Sequence, residues 1–250
     1  AAANRADEIN TCIACNQACL DHVFERKLAS CLVNPRAGRE TELVYRPAGA
    51  RKRIAVVGAG PAGLACASVA AERGHEVDLF EAAGEIGGQF NYAKRIPGKE
   101  EFHETIRYFR RRLEVTGVRL HLGRRVGAAD LAGYDEVVLA TGVVPRDPGI
   151  PGGDDPRVAS YIEILTGAKV AGERVAVVGA GGIGFDVAEF LVDDGHSAAL
   201  DIDAWRREWG VGDPSVARGG VEGVKPRPSP PARQVTLLQR KASKPGAGLG

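Results

Sequence analysis

From Arg51 onward the chain alternates short apolar runs with longer stretches of helical periodicity. Ile54–Val57 is an uncharged run of the kind expected in a parallel strand buried on both faces. A helical stretch to about Arg73 follows, ended by Gly74, and Glu76–Phe80 reads as the next strand. The pattern predicts a helix over about Glu100–Thr116, then strands at Val118–Leu122 and Tyr134–Leu139. After Pro145 and a Pro/Gly-rich crossing it restarts, with a strand at Arg174–Val178, a helix over Phe185–Val192 and a last strand at Gln234–Leu238. Short strands alternating with helices predict an α/β fold with parallel sheets.

Each half opens on the same signal. Gly58-Ala-Gly60-Pro-Ala-Gly63 and Gly179-Ala-Gly181-Gly-Ile-Gly184 both sit between a strand and a helix. Alone, such a triplet is weak, but that context makes it a dinucleotide-binding fingerprint. Its first glycine permits a tight turn, its second lets a pyrophosphate approach the backbone, and its third lets the helix pack close. Phosphate charge then rests on the helix N-terminus. In the first half Glu81 ends the second strand, where an acid accepts bonds from ribose hydroxyls. In the second half no acid stands about twenty residues on, and a polar, Pro-rich insertion over about 193–233 intervenes. Gln239, Arg240 and Lys241 follow its final strand. Without an acid to repel a 2′-phosphate, and with Arg240 and Lys241 to attract one, NADPH is expected there.

Ahead of both halves stand Cys12, Cys15, Cys19 and Cys31, spaced C-x2-C-x3-C-x11-C. Three thiolates within eight residues and a fourth on a short return suit the all-thiolate cage of an iron–sulfur cluster. A structural zinc site usually shows two C-x2-C pairs or a Cys/His set, and His22 falls outside such spacing. A disulfide framework would require an oxidising compartment, and no signal peptide is visible. Zinc and disulfide remain the rival readings. Cys66 lies in an apolar helix and reads as a small buried side chain.

A net charge of +1 gives no overall basic field for nucleic acid or acidic membranes. The uncharged stretch Ile54–Ala71 has the length of a membrane span, but four interruptions by Gly and Pro favour strand, turn and helix. A cytoplasmic location is expected. Arg107, Arg110, Arg111 and Arg112 form a basic cluster on the longest helix, of which the ordinary reading is a solvated face. Methionine is absent, including at position 1, and Lys244–Gly250 is turn-rich, so the chain reads as a piece of a longer protein.

The order of cysteine motif, first fingerprint, Ala140-Thr141-Gly142 turn and second fingerprint resembles the flavoprotein family of 2,4-dienoyl-CoA reductases. That group shares its architecture with trimethylamine dehydrogenase and other extended old-yellow-enzyme relatives. The resemblance covers essentially the whole chain. It is most specific at Cys12-Ile-Ala-Cys-Asn-Gln-Ala-Cys-Leu-Asp21, Ser30-Cys-Leu-Val-Asn-Pro-Arg36, Gly84-Glu-Ile-Gly-Gly-Gln-Phe90 and Leu238-Gln-Arg-Lys-Ala-Ser-Lys-Pro-Gly246.

It implies three parts: residues 1–50 as iron–sulfur segment and linker, 51–147 as an incomplete FAD unit, and 148–250 as an incomplete NADP unit. Both nucleotide units would be Rossmann-like. The four cysteines would hold [4Fe–4S]. Gly58, Gly60, Ala62, Gly63, Glu81, Gln89, Val126, Thr141 and Gly142 would lie near FAD, and Gly179, Gly181, Gly184, Arg240 and Lys241 near NADPH. A preceding FMN barrel, outside this chain, would bind and reduce a dienoyl-CoA thioester in fatty acid β-oxidation. Electrons would run from NADPH through FAD and the cluster to FMN, with no catalytic residue in this chain. An amine dehydrogenase of the same build, or a stand-alone electron-transfer subunit, are the competing expectations.

Overall fold

A computed structural model describes residues 3–195, 197–220 and 223–246. The end of the turn-rich stretch read over Lys244–Gly250 thus lies outside the described residues. The chain divides into two compact units, 1–91 with 101–146, and 92–100 with 147–250. The cysteine segment therefore belongs to the first unit, and nine residues from the middle of the first half belong to the second.

In the first unit, α1 (Leu20–Phe24) follows the third cysteine. β1 (Arg53–Val57), α2 (Pro61–Glu72) and β2 (Glu76–Phe80) come next. α3 (Phe90–Ala93) spans the boundary between the units. α4 (Glu101–Thr116), β3 (Arg119–His121), α5 (Ala128–Leu131) and β4 (Glu136–Leu139) complete it. The sheet is parallel throughout, in the order β3-β2-β1-β4. Ile54, Val56, Val77 and Leu79 point from it into a core with Leu64 and Ala67 of α2 and Ile106 and Leu113 of α4. β1 is buried on both faces, which explains why Ile54–Val57 reads as apolar without alternation.

The other face of the same sheet holds a polar cluster beside Ala55 and Phe80. Asp78, 4% exposed, takes two bonds from Arg119 (2.9 and 2.7 Å) and one contact from His121 Nε2 at 2.7 Å. The Arg119 guanidinium, with His121 and Tyr134 beside it, holds the Asp78 carboxyl well below the usual carboxylate range. Phe80 stacks on His121 at 4.7 Å. A charge inside a strand is tolerated here because it is paired and hydrogen-bonded on all sides.

The second unit contains α6 (Tyr161–Thr166), β5 (Arg174–Val178), α7 (Gly182–Val192), α8 (Ile202–Trp209) and β6 (Gln234–Leu238). β5 and β6 pair in parallel from Arg174↔Gln234 to Val178↔Leu238. Ile96 packs with Leu165, Val187 and Leu191, which is why the stretch 92–100 belongs to this unit. The polar, Pro-rich insertion carries α8, with Asp201 as its cap accepting from the amides of Asp203 and Ala204. Gly210 ends it in the left-handed conformation. These are ordinary start and stop signals, hidden by a surrounding polar composition.

Candidate functional site

The first glycine turn connects β1 to α2. Gly58 has φ +104, and a Cβ there would stand 2.3 Å from Ala140 O. A Cβ on Gly63 would meet Gly58 O at 1.8 Å, so helix and turn approach more closely than any side chain permits. Gly60, the residue before α2, has only Gly88 Cα near its missing Cβ, at 4.0 Å. No side chain caps α2, and no acid lies in its first turn. Its terminal N–H groups and dipole are thereby left for an anion.

The other expected residues gather at this end of the sheet. Glu81 accepts from Ala59 N through Oε2 and from Ala83 N through Oε1, both at 2.8 Å. The acid thus holds the glycine turn to the end of β2, and each oxygen keeps a lone pair for a hydroxyl donor. Gln89 donates to Val143 O at 3.1 Å, tying its loop to Thr141 and Gly142. That loop is anchored by Ile86, which is 2% exposed, and Gly87 N donates to Ala59 O. Ala62 is exposed in the first turn of α2, and Val126 is half-buried after β3. Arg124 N donates to Glu81 O, bringing the Val126 loop alongside.

The second turn repeats the first. Gly179 has φ +123, and a Cβ on Gly184 would again lie 1.8 Å from a backbone oxygen, that of Gly179. Gly181 opens onto free space, and α7 has neither a capping side chain nor an acid in its first turn. Gly58 N donates to Phe80 O at the end of β2, and Gly179 N donates to Leu238 O at the end of β6. Gln239 therefore occupies the place of Glu81. Its amide donates to the carbonyls of Lys241 (2.8 Å) and Ser243. This folds Arg240 and Lys241 into an exposed loop, where neither has an ion pair among the described residues. The equivalence of Gln239 and Glu81 is invisible along the chain because the insertion displaces it.

The cysteine segment supplies four free thiols. Ala14 (φ +53) and Asn16 (φ +56) adopt left-handed backbone between the first three cysteines, folding that run back on itself. Ala14 N donates to Cys12 Sγ at 3.3 Å. Ser30 N donates to Ala18 O, which returns Cys31 toward the others. Cys12 and Cys31 line one open cavity of about 490 Å³. In kind, this all-thiol donor set fits an iron–sulfur cluster. Among the described residues, however, no three His, Cys, Asp or Glu side chains converge on a metal position. Cys66 is half-buried on α2, and burial pushes its thiol up.

Three of the four arginines of the basic cluster make ion pairs. Arg107 pairs with Glu104 and donates to the carbonyls of Asp7 and Ile9, and Arg111 pairs with Asp7 and Glu8. Arg112 joins Glu72 of α2. The Asp7-Glu8 pair just before the cysteines was the available signal for Arg111, while the backbone carbonyls taken by Arg107 leave none in the sequence.

Parallel strands ending in glycine turns and uncapped helices define an FAD/NAD(P)-binding α/β oxidoreductase fold. The chain belongs to the pyridine nucleotide-disulphide oxidoreductase family, which it matches over residues 52–240. Membership implies FAD and NAD(P). The chain is 38% identical over 195 residues to a metal reductase of Desulforamulus reducens, covering 76% of this chain and 29% of that protein. The solved structure of a 2-naphthoyl-CoA reductase in complex with 2-naphthoyl-CoA is similar at TM-score 0.74 and 36% identity, over 78% of this chain and 30% of that one. Histamine dehydrogenase from Rhizobium sp. 4-9 is similar at TM-score 0.65 and 25% identity, over 76% of this chain and 31% of that one. The chain thus spans about three tenths of the proteins it matches. No described helix is long and apolar enough to cross a membrane.

Proposed function

We propose that this chain is the electron-relay part of a larger iron–sulfur flavoprotein of the old-yellow-enzyme type that reduces a 2,4-dienoyl-CoA thioester with NADPH. The observation that carries the reading is the duplicated glycine turn, with the same 1.8 Å approach at Gly63 and at Gly184, downstream of four free thiols. In this reading Gly58, Gly60, Ala62 and Gly63 leave the N-terminus of α2 open to the FAD pyrophosphate, and Glu81 accepts from its ribose. Gln89, Val126, Thr141 and Gly142 line the same end of the sheet. Gly179, Gly181 and Gly184 leave the N-terminus of α7 open to NADPH. Arg240 and Lys241 meet the 2′-phosphate, because Gln239, in the place of Glu81, carries no negative charge to repel it. Cys12, Cys15, Cys19 and Cys31 hold a [4Fe–4S] cluster.

When bound, FAD supplies a hydride acceptor and the cluster a one-electron carrier. The protein contributes placement and electrostatics to that chemistry. Substrate and FMN belong to a barrel outside this chain, in a cytoplasmic protein that needs neither nucleic acid nor membrane. The likeness to a 2-naphthoyl-CoA reductase supports a conjugated acyl-CoA as substrate. The weaker likeness to histamine dehydrogenase supports an amine as the second reading.

The test is made on the full-length protein. Purified without air, it should contain about four iron and four sulfide per chain besides its flavins. It should bleach a dienoyl-CoA chromophore with NADPH. Cys15→Ser should lose iron, while Cys66→Ser should keep it. Arg240→Glu should raise KM for NADPH far more than for NADH. One zinc without labile sulfide, or turnover of an amine in place of the thioester, would overturn the respective part.

A further inference from the structure

α4 has two working sides. Thr105, Ile106 and Leu113 are buried, and the last two join α2 in the core. Arg107 and Arg111, one turn apart, reach the other way, to the residues just before the cysteine motif. Arg107 donates through Nη1 to Asp7 O and through Nη2 to Ile9 O, the latter at 2.9 Å. Arg111 Nε lies 2.9 Å from Asp7 Oδ2, and its Nη2 lies 3.6 Å from Glu8 Oε1. Arg107 thus engages two carbonyls at fixed separation, which a lysine ammonium cannot reproduce, whereas the ion pairs of Arg111 are within reach of an ammonium as well. Tyr108, between the two arginines, lines the cavity shared with Asn10, Cys12 and Cys31. Arg112, on the next residue, pairs with Glu72 of α2, the helix that begins at the first glycine turn. A continuous chain of contacts thus runs from that turn, through α2 and α4, to within three residues of Cys12.

We propose that Arg107 and Arg111 are positioning residues that clamp the cysteine segment onto α4 and thereby set its distance from the nucleotide turn. The proposal rests on the reading of the four cysteines as cluster ligands. One-electron passage slows steeply with distance, so a loosened segment loses transfer rate while keeping its cofactors. Nothing in the clamp touches the flavin turn, so hydride uptake is independent of it.

Full-length protein is compared with Arg107→Ala/Arg111→Ala, Arg107→Lys and Arg111→Lys. In the double variant, backbone hydrogen exchange over residues 7–12 should rise by about tenfold or more, as loss of charge-assisted bonds requires. Iron, sulfide, FAD content and the rate of flavin reduction by NADPH should match wild type. Onward electron delivery should slow by about tenfold, a modest change in barrier. Arg107→Lys should behave like the double variant, because its two carbonyls need the fork, whereas Arg111→Lys should stay near wild type. Unchanged exchange and unchanged onward delivery in the double variant, or full function in Arg107→Lys, would overturn the clamp. Wild-type protein carrying FAD but no iron would overturn the cluster reading, and the exchange comparison alone would then decide the clamp.

Discussion

Under the proposed function Glu81 carries two duties, and they separate experimentally. Its carboxylate takes the Ala59 and Ala83 amides at 2.8 Å, and in that reading it also accepts from the FAD ribose. Ala59 is fully buried, so without the carboxylate its N–H loses its acceptor in a place that water does not readily reach. An orphaned buried donor costs roughly 1–3 kcal/mol. The Ala83 bond is exposed and exchangeable with water, so its loss adds little. Glu81→Ala should therefore open the turn locally even without flavin, raising exchange of the Ala59 amide by about five- to 150-fold. Glu81→Gln keeps one oxygen and should show a smaller rise, since its amide nitrogen cannot accept from the second N–H. Flavin affinity should fall in both variants, by roughly 1.5–3 kcal/mol where the ribose bond is lost. Residue-resolved hydrogen exchange on flavin-depleted full-length protein reads the first duty, and FAD titration reads the second. Unchanged Ala59 exchange in Glu81→Ala would falsify the structural duty, and unchanged FAD affinity the binding one.

The two third-position glycines should fail alike. Gly63→Ala and Gly184→Ala place a methyl 1.8 Å from a backbone oxygen that cannot swing aside, at or above the roughly 1–3 kcal/mol typical of overpacking. The first should lose flavin and the second should lose nicotinamide binding, whereas Gly60→Ala should fold normally and still lose flavin, because its Cβ enters the open approach path. Full flavin content in Gly63→Ala would refute the close-approach argument. Asp78 links stability to acid. Its folded pKa lies below the unfolded value of about 3.9, so its contribution is complete above that pH and is lost as pH falls below it. Asp78→Asn should cost about 1.5–3 kcal/mol at neutral pH, toward the low end because the Arg119 side chain is 52% exposed, and should flatten the acid limb of a melting-temperature profile. An acid limb as steep as wild type would assign that dependence to other carboxylates.

What the amino-acid order determined by itself is whatever depends on neighbours in the chain. An apolar run marked β1, because a parallel strand covered on both faces needs no polar alternation, and short runs of strand-forming residues marked β2, β5 and β6. The glycine triplets marked both turns, because their backbone angles and the Gly58–Gly63 and Gly179–Gly184 approaches exclude a Cβ wherever the rest of the fold lies. The cysteine spacing marked a donor set, although gathering those thiols depends on more than spacing. Tertiary structure decided what depends on residues far apart in sequence. Arg107 and Arg111 read as a solvated face because their partners, Asp7 to Ile9, lie about a hundred positions away. The stretch 92–100 read as part of the first half, yet Ile96 finds its apolar partners in the second. Gln239 read as one of three polar residues after a strand. Only the pairing of β5 with β6 sets it in the place of Glu81, where a neutral amide replaces a charged carboxylate.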